Sequence, residues 1–378
     1  MAYLGENIPK LGFGLMRLPT LTAGPDGEID LQQTCDMVDL FLEKGFKYFD
    51  TAYGYANGES EKAIKKALVD RYPRESFYLA TKLPAWHGAQ TAEEAKQMFW
   101  TSLERTGAGY FDFYLLHNVG ATRTAKFDEF GIWDYVRELK EKGLAKHIGF
   151  SFHDTAELLD QTLTAHPEAE FVQLQINYAD WESGGVQSRA CHEAALKHNK
   201  PVVIMEPVKG GMLANPADSV KKVFDGAGAG ASYASWAIRF AASLPNVITV
   251  LSGMSNMEQM RDNTAYMEDF KPLTAAEREV IVQARAALDA IPSIPCTGCE
   301  YCVAGCPKKI VIPKIFDAMN RELVFGDPGA ARFGYMWETN FGGKGSDCVE
   351  CGKCERVCPQ KIPIIKTLKE AAAKYEQR

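Results

Sequence analysis

Eight of the ten cysteines fall in two runs, Cys296-x2-Cys299-x2-Cys302-x3-Cys306-Pro307 and Cys348-x2-Cys351-x2-Cys354-x3-Cys358-Pro359. Four closely spaced thiolates closed by a proline are the donor set that wraps an iron-sulfur cube, so the repeat predicts two 4Fe-4S clusters. A disulfide framework would suit a small secreted domain rather than a chain of 378 residues. Structural zinc uses two well-separated C-x2-C pairs. Neither explains one spacing used twice. Cys35 and Cys191 stand alone in helix-like stretches and read as small apolar side chains.

The elements ahead of these runs must position any further chemistry. Before Ala290 the chain alternates short apolar runs, at 11–16, 46–49, 77–81, 111–116, 148–150, 171–176, 202–205 and 247–251, with longer amphipathic segments. Eight such pairs are what an α/β fold of the (β/α)8 TIM-barrel type requires. Their continuous rather than alternating apolar character fits a parallel sheet covered on both faces. Between the first two runs, 30–44 carries helix signals: Asp30 with Gln33 three residues on, apolar Leu31, Met37, Val38, Phe41 and Leu42, and Gly45 as a stop. An open doubly wound sheet would want a Gly-rich turn after an early strand, and none is present. Pro292 and Pro295 mark the end of the barrel, giving domains at 1–286 and 287–378. The second should be mostly helical, with helices at 312–323 and 364–375 and with Phe333, Tyr335, Trp337 and Phe341 packing it onto its neighbour.

In such a barrel the reactive groups lie at the C-terminal ends of strands and in the loops beyond. Those positions hold Asp50 after the second run with Tyr55 in its loop, Lys82 after the third, and His117 after the fourth. A carboxylate, a phenol, an amine and an imidazole on one rim suit carbonyl reduction, which needs a hydride on carbon and a proton on oxygen. A phenol with pKa near 10 keeps its proton at neutral pH, and an adjacent ammonium favours the phenolate that forms when the proton leaves. Tyr53, Trp86, Trp133 and Trp181 fall on or near mouth-side loops as candidate pocket walls.

With these residues in place the sequence resembles the aldo-keto reductase family over about residues 10–270. The matching motifs are Phe49-Asp50-Thr51-Ala52-x2-Tyr55 followed by Glu61, Ala80-Thr81-Lys82, Asp112-Phe113-Tyr114-Leu115-Leu116-His117, Ile148-Gly149-Phe150-Ser151, Gln173, and Ser252-Gly253-Met254-Ser255 leading through Gln259 to Asn263. Together with the tail it looks like the subgroup that carries a C-terminal ferredoxin-type domain. The resemblance implies an oxidoreductase acting on a small carbonyl or alcohol with NADP or NAD, and Asp50, Tyr55, Lys82 and His117 as catalytic residues. It implies that Ser151 and Gln173 hold the nicotinamide carboxamide, that Met205 faces the nicotinamide ring, and that Gly253, Ser255, Gln259 and Asn263 hold the adenosine phosphate end. Three departures stand out: Phe152 where the family commonly has Asn, Met205 where it has an aromatic ring, and Gly253 and Gln259 where it is often basic, with Arg261 as the nearest cation. The tail is similar to bacterial two-cluster ferredoxins, whose fourth cysteine serves the other cluster. That implies one cluster on Cys296, Cys299, Cys302 and Cys358 and the other on Cys348, Cys351, Cys354 and Cys306.

Charge and composition narrow the partners. The net charge is −7 and 46% of residues are hydrophobic, which excludes a disordered chain and disfavours nucleic acid. No apolar run approaches the roughly 20 residues of a membrane span, and the start lacks a signal-peptide pattern, so a cytoplasmic protein is expected. The clusters are expected to serve electron transfer or structure, with a ferredoxin or other redox partner. The competing expectation is a ferredoxin-coupled electron-transfer protein whose barrel binds a substrate or partner without nicotinamide turnover.

Overall fold

Eight short segments pair in parallel, each with the next, and the eighth closes on the first. They are β1 (Leu11–Gly14), β2 (Tyr48–Asp50), β3 (Tyr78–Leu83), β4 (Phe111–Val119), β5 (Ala145–Phe152), β6 (Phe171–Gln175), β7 (Val202–Met205) and β8 (Val247–Ser252). The computed structural model describes residues 3–22, 27–121, 123–228 and 232–377. These fall into two units: Met1–Trp181 with Val186–Val208 and Ala234–Thr274, and Glu182–Gly185 with Lys209–Tyr233 and Ala275–Arg378.

In the first unit the expected barrel is present, and each apolar run is a strand. Asp50, Lys82 and His117 lie inside β2, β3 and β4 rather than after them. The apolar runs stop at these polar residues, but backbone pairing continues through them: Lys82 is still in register with Leu115. Inside the barrel Tyr48, Phe113 and Phe171 fill the cross-section, with ring centroids 5.0 Å and 5.2 Å apart. Gly149 makes room for this packing, because a Cβ there would lie 2.4 Å from the Phe171 carbonyl oxygen and 2.7 Å from its ring. Outside, the helix Leu31–Glu43 begins as its cap predicts. The Asp30 side chain accepts the Gln33 N–H at 3.0 Å, and Phe41 stacks on the barrel through Phe49 and Phe13.

The second unit gathers the helices Ile312–Phe325, Pro328–Thr339 and Ile364–Tyr375 around Ile315, Phe316, Tyr335 and Leu368. The helix Pro328–Thr339 was not legible as a periodic segment. Its aromatics differ from expectation, since only Tyr335 is buried. Phe333, Trp337 and Phe341 are about half exposed and stack on one another at 6.4 Å and 5.5 Å. Phe333 and Trp337, four residues apart, share one helix face while Tyr335 points to another, and Phe341 lies just beyond the end of the helix.

Opposite the barrel mouth, ion pairs tie strand starts together. Glu170 accepts the Ile148 N–H at 3.0 Å and contacts Lys140 Nζ at 2.6 Å and His147 Nδ1 at 3.0 Å. Partial burial disfavours its charge, but these partners win and hold the carboxyl down at about 2 against an ordinary 4.5. A depressed carboxylate contributes stability that is complete above the unfolded value and is lost as pH falls toward the folded one. Glu170→Gln is therefore expected to lower the unfolding free energy by about 2 kcal/mol at neutral pH, with partial exposure already discounted. The gap to the parent chain should close between about pH 5 and pH 2. Denaturant titrations across that range check it, and equal stability at pH 7 contradicts it.

Candidate active site

At the mouth of the barrel the sequence forces an ammonium into the interior. Lys82 sits on β3 with its side chain 1% exposed and lies 2.5 Å from the Asp50 carboxylate, itself 3% exposed at the end of β2. It also donates to the Thr51 carbonyl at 2.8 Å and to the Tyr55 hydroxyl at 3.4 Å. Burial disfavours the ammonium, yet Asp50 and Tyr55 outweigh that and hold the Lys82 pKa above its ordinary value. Burial also pushes the Tyr55 phenol up, with Lys82 pulling against it. Burial raises the Asp50 carboxyl, and Lys82 and Gln173 offset part of the rise.

His117 on β4 presents its ring edge-on to Tyr55 at 6.0 Å. Burial, reinforced by Lys82, pushes this imidazole well below its ordinary value, so it is neutral at pH 7. Its Nδ1 is buried and has no hydrogen-bond partner among the described residues. Trp86 donates its indole N–H to the His117 carbonyl at 2.6 Å, making it the one tryptophan of the expected pocket walls that contacts the four. Trp133 is instead buried against His166 at 3.7 Å, and Trp181 packs on Phe240 at 5.4 Å. Tyr53 lies beneath the Arg105 guanidinium at 4.5 Å.

Farther round the barrel Ser151 and Gln173 are cross-strand neighbours on β5 and β6, both buried. The Ser151 hydroxyl accepts the Asn118 N–H at 2.8 Å. Gln173 Oε1 is buried without a hydrogen-bond partner among the described residues, an acceptor that a carboxamide N–H fits. Met205 ends β7 half-buried. After β8 the Ser255 N–H donates to Gln259 Oε1 at 2.8 Å, and Asn256 caps the helix Met257–Met267 through the Gln259 N–H at 2.9 Å. A capped helix N-terminus at this position suits a phosphate. Asn263, however, turns inward: its amide donates to Ser252 at 2.7 Å and accepts from Tyr266 at 2.7 Å.

In the second unit each cysteine run follows one path twice. Gly298 and Glu350, Glu300 and Gly352, and Lys309 and Lys361 occupy equivalent places in the two runs, and all six have positive φ. The short helices Tyr301–Ala304 and Lys353–Val357 follow the same turn. These windings surround two separate cavities. One is lined by Cys296, Cys299, Cys302 and Cys358, the other by Cys306, Cys348, Cys351 and Cys354. Two sets of four thiols around separate cavities fit two 4Fe-4S clusters with crossed fourth ligands.

The sequence reading missed Arg105 altogether. It reaches from the helix Ala92–Thr106 to the loop that carries Tyr55, donating to the Tyr53 carbonyl at 2.9 Å and pairing with Glu61 at 3.2 Å. Glu61 has no solvent exposure, and its other oxygen accepts the Thr81 hydroxyl at 2.8 Å, one residue before Lys82. Gly58, with φ +89°, lies flat under the guanidinium, where a Cβ would approach within 2.8 Å. Between these anchors Ala56 and Asn57 hold left-handed conformations, φ 48° and 55°. Nothing in sequence pointed to Arg105, because Glu61 is followed closely by Lys62, Lys65 and Lys66, and its actual partner lies 44 residues away.

A family model for the aldo/keto reductase family matches residues 10–286, and one for the 4Fe-4S dicluster domain matches residues 295–362. An aldo-keto reductase of Mycolicibacterium vanbaalenii is 28% identical over 294 residues, covering 76% of this chain and 89% of its own. One of Mycolicibacterium smegmatis is 32% identical over 143 residues, covering 35% and 48%. The chain spans about half the length of the first curated relatives it matches. Among solved structures, a holo-form aldo-keto reductase from Bacillus halodurans has a TM-score of 0.58 at 24% identity, covering 73% of this chain and 92% of its own. Another, from Klebsiella pneumoniae with NADPH, has a TM-score of 0.56 at 21% identity, covering 72% and 90%.

Removing the cation from beside buried Glu61 should be costly. Arg105→Met is expected to destabilise the chain by about 3 kcal/mol, whereas adding Glu61→Gln should restore part of the loss, because an unpaired buried charge is worse than none. Denaturant unfolding of the two singles and the double checks this, and simple additivity contradicts it.

Proposed function

The chain belongs to the aldo/keto reductase family and carries a C-terminal 4Fe-4S dicluster domain, and from that premise we propose that it reduces a carbonyl compound, or oxidises the matching alcohol, with a nicotinamide cofactor. The observation that carries this reading is the buried Lys82 ammonium held between the Asp50 carboxylate and the Tyr55 phenol. We assign the barrel domain to 1–286 and the cluster domain to 287–378.

When bound, the reduced nicotinamide supplies the hydride. The chain's own residues do the rest. Tyr55 delivers the proton to the substrate oxygen from a phenol that burial keeps protonated at neutral pH. Lys82, 3.4 Å away, stabilises the phenolate left behind, and Asp50 keeps Lys82 charged and oriented. His117, neutral, offers a ring nitrogen to the substrate oxygen. Ser151 and Gln173 would hold the carboxamide, and Gln173 Oε1 is an acceptor waiting for such a donor. Met205 would cover the nicotinamide face as a polarizable side chain. Gly253, Ser255 and Gln259 would bracket the adenosine phosphates, with exposed Arg261 the nearest cation in sequence for a 2′-phosphate. Asn263 would act there by shaping the helix, since its amide is committed to Ser252 and Tyr266. NADP is our first choice, because a structural neighbour was solved with NADPH. Cys296, Cys299, Cys302 and Cys358 would hold one cluster and Cys306, Cys348, Cys351 and Cys354 the other, exchanging single electrons with a redox partner. Among the described residues no helix is long and apolar enough to cross a membrane. We place the protein in the cytoplasm because eight ligand-type cysteines need a compartment that keeps thiols reduced.

Tyr55→Phe is expected to lower kcat by about 10² to 10⁴-fold with nicotinamide affinity retained. Near-normal turnover would remove Tyr55 from the mechanism. Anaerobic calorimetric titration with NADP and with NAD should give micromolar binding of one of them, equivalent to about 8 kcal/mol. Binding of neither would make Phe152 and Met205 decisive and favour electron transfer without nicotinamide.

A further inference from the structure

The two cysteine-lined cavities differ at their rims. The cavity of Cys306, Cys348, Cys351 and Cys354 is bordered by Lys308 and Lys353, whereas the cavity of Cys296, Cys299, Cys302 and Cys358 is bordered by Glu300 and Gln360. Lys308, Lys353 and the nearby Lys309 and Arg356 are exposed, and among the described residues none has an ion-pair partner, although ion pairs are common elsewhere on this chain. The acids around the same cavity are engaged. Glu350 pairs with Lys369 at 2.8 Å, and Glu355 accepts the Ile365 N–H at 2.9 Å. Glu350 is thus neutralised by a cation, and the Glu355 carboxylate alone stands against four exposed bases.

The same rim is apolar at its centre. Val349 is about half exposed, and Cys351 itself is exposed. This charge is also against the trend of the chain: residues 295–378 carry 13 Lys and Arg against 10 Asp and Glu, while the whole chain carries 42 against 49. A small apolar centre ringed by net positive charge suits short-lived, electrostatically steered association, the regime of electron-carrier encounters. Electron tunnelling falls steeply with distance, so a carrier must approach where a cluster ligand reaches the surface.

We infer that the face around Cys351, ringed by Lys308, Lys309, Lys353 and Arg356, is the docking surface for an acidic electron-carrier protein, and that electrons pass through the cluster of the Cys348 run. One electron crosses per encounter, leaving the carrier one electron more oxidised and the cluster one more reduced, or the reverse; no bond is made or broken. This rests on the proposed clusters and is independent of nicotinamide turnover.

The test uses the full chain, loaded with clusters under anaerobic conditions and checked for iron content, titrated calorimetrically with a purified acidic plant-type 2Fe-2S ferredoxin. Basic cytochrome c serves as the control. Micromolar binding of the ferredoxin, weakening at least tenfold between about 20 and 200 mM salt, is expected, with no binding of cytochrome c. Lys308→Glu with Lys353→Glu should weaken it at least tenfold further, while Lys142→Glu with Lys197→Glu, the same charge change on barrel helices, should alter it less than twofold. If the first pair lowers iron content, Lys308→Gln with Lys353→Gln replaces it. Equal losses in both pairs, salt-insensitive binding, or no binding overturns the proposal. So does a rim variant that shifts only the cluster's midpoint potential, which would mean that the lysines merely balance cluster charge. A chain that takes up no iron overturns the cluster reading and the docking surface with it, whereas an iron-loaded chain that fails to bind overturns the docking surface alone.

Discussion

An ammonium almost wholly removed from water must be compensated by groups placed around it, and much of the barrel mouth is organised by that requirement. Lys82 takes a carboxylate from β2, a carbonyl from Thr51 and a phenol from the following loop. Desolvating an ion costs several kcal/mol, and the return depends on good geometry at every partner. The parallel pairing of β2 with β3 delivers Asp50 to one side of Lys82, and the loop then brings Tyr55 to another. The Tyr55 phenol is therefore placed by the same interaction that makes the cation tolerable.

That loop is under backbone strain, and the strain is local. Two successive non-glycine residues in left-handed conformations are unfavourable by roughly 1 to 2 kcal/mol each. A second, partly buried ion pair, Glu61 with Arg105, offsets this by holding the loop from behind, while Thr81 connects it to the strand that bears Lys82. The two charge pairs are thus mechanically linked through adjacent residues of β3. At the next strand end Asn118, also left-handed at φ 59°, turns its N–H to the Ser151 hydroxyl. Asn tolerates that conformation better than most residues.

The cluster unit solves a different problem with less core. Its thiols are carried on turns that repeat the same positive-φ positions, and its apolar centre of Ile315, Phe316 and Leu368 supports both. Charge divides with the fold. The barrel is acidic, and a locally basic rim surrounds one cysteine cavity.

The sequence by itself determined the donor types and their order. The twofold thiol spacing, the eight apolar runs and the Asp30 cap are local patterns, and each local pattern is read directly by the backbone it specifies. The four polar residues at strand ends were legible for the same reason, although Asp50, Lys82 and His117 proved to lie within their strands, because ladder pairing does not stop where hydrophobicity does. Only the tertiary structure decided which cysteines share a cavity, since crossing Cys306 with Cys358 depends on how two distant turns pack. It also decided that Arg105 faces Glu61 across 44 residues, and that Phe333, Trp337 and Phe341 remain on the surface. Partner choice among distant side chains follows from barrel closure and helix packing, which no short window of sequence contains.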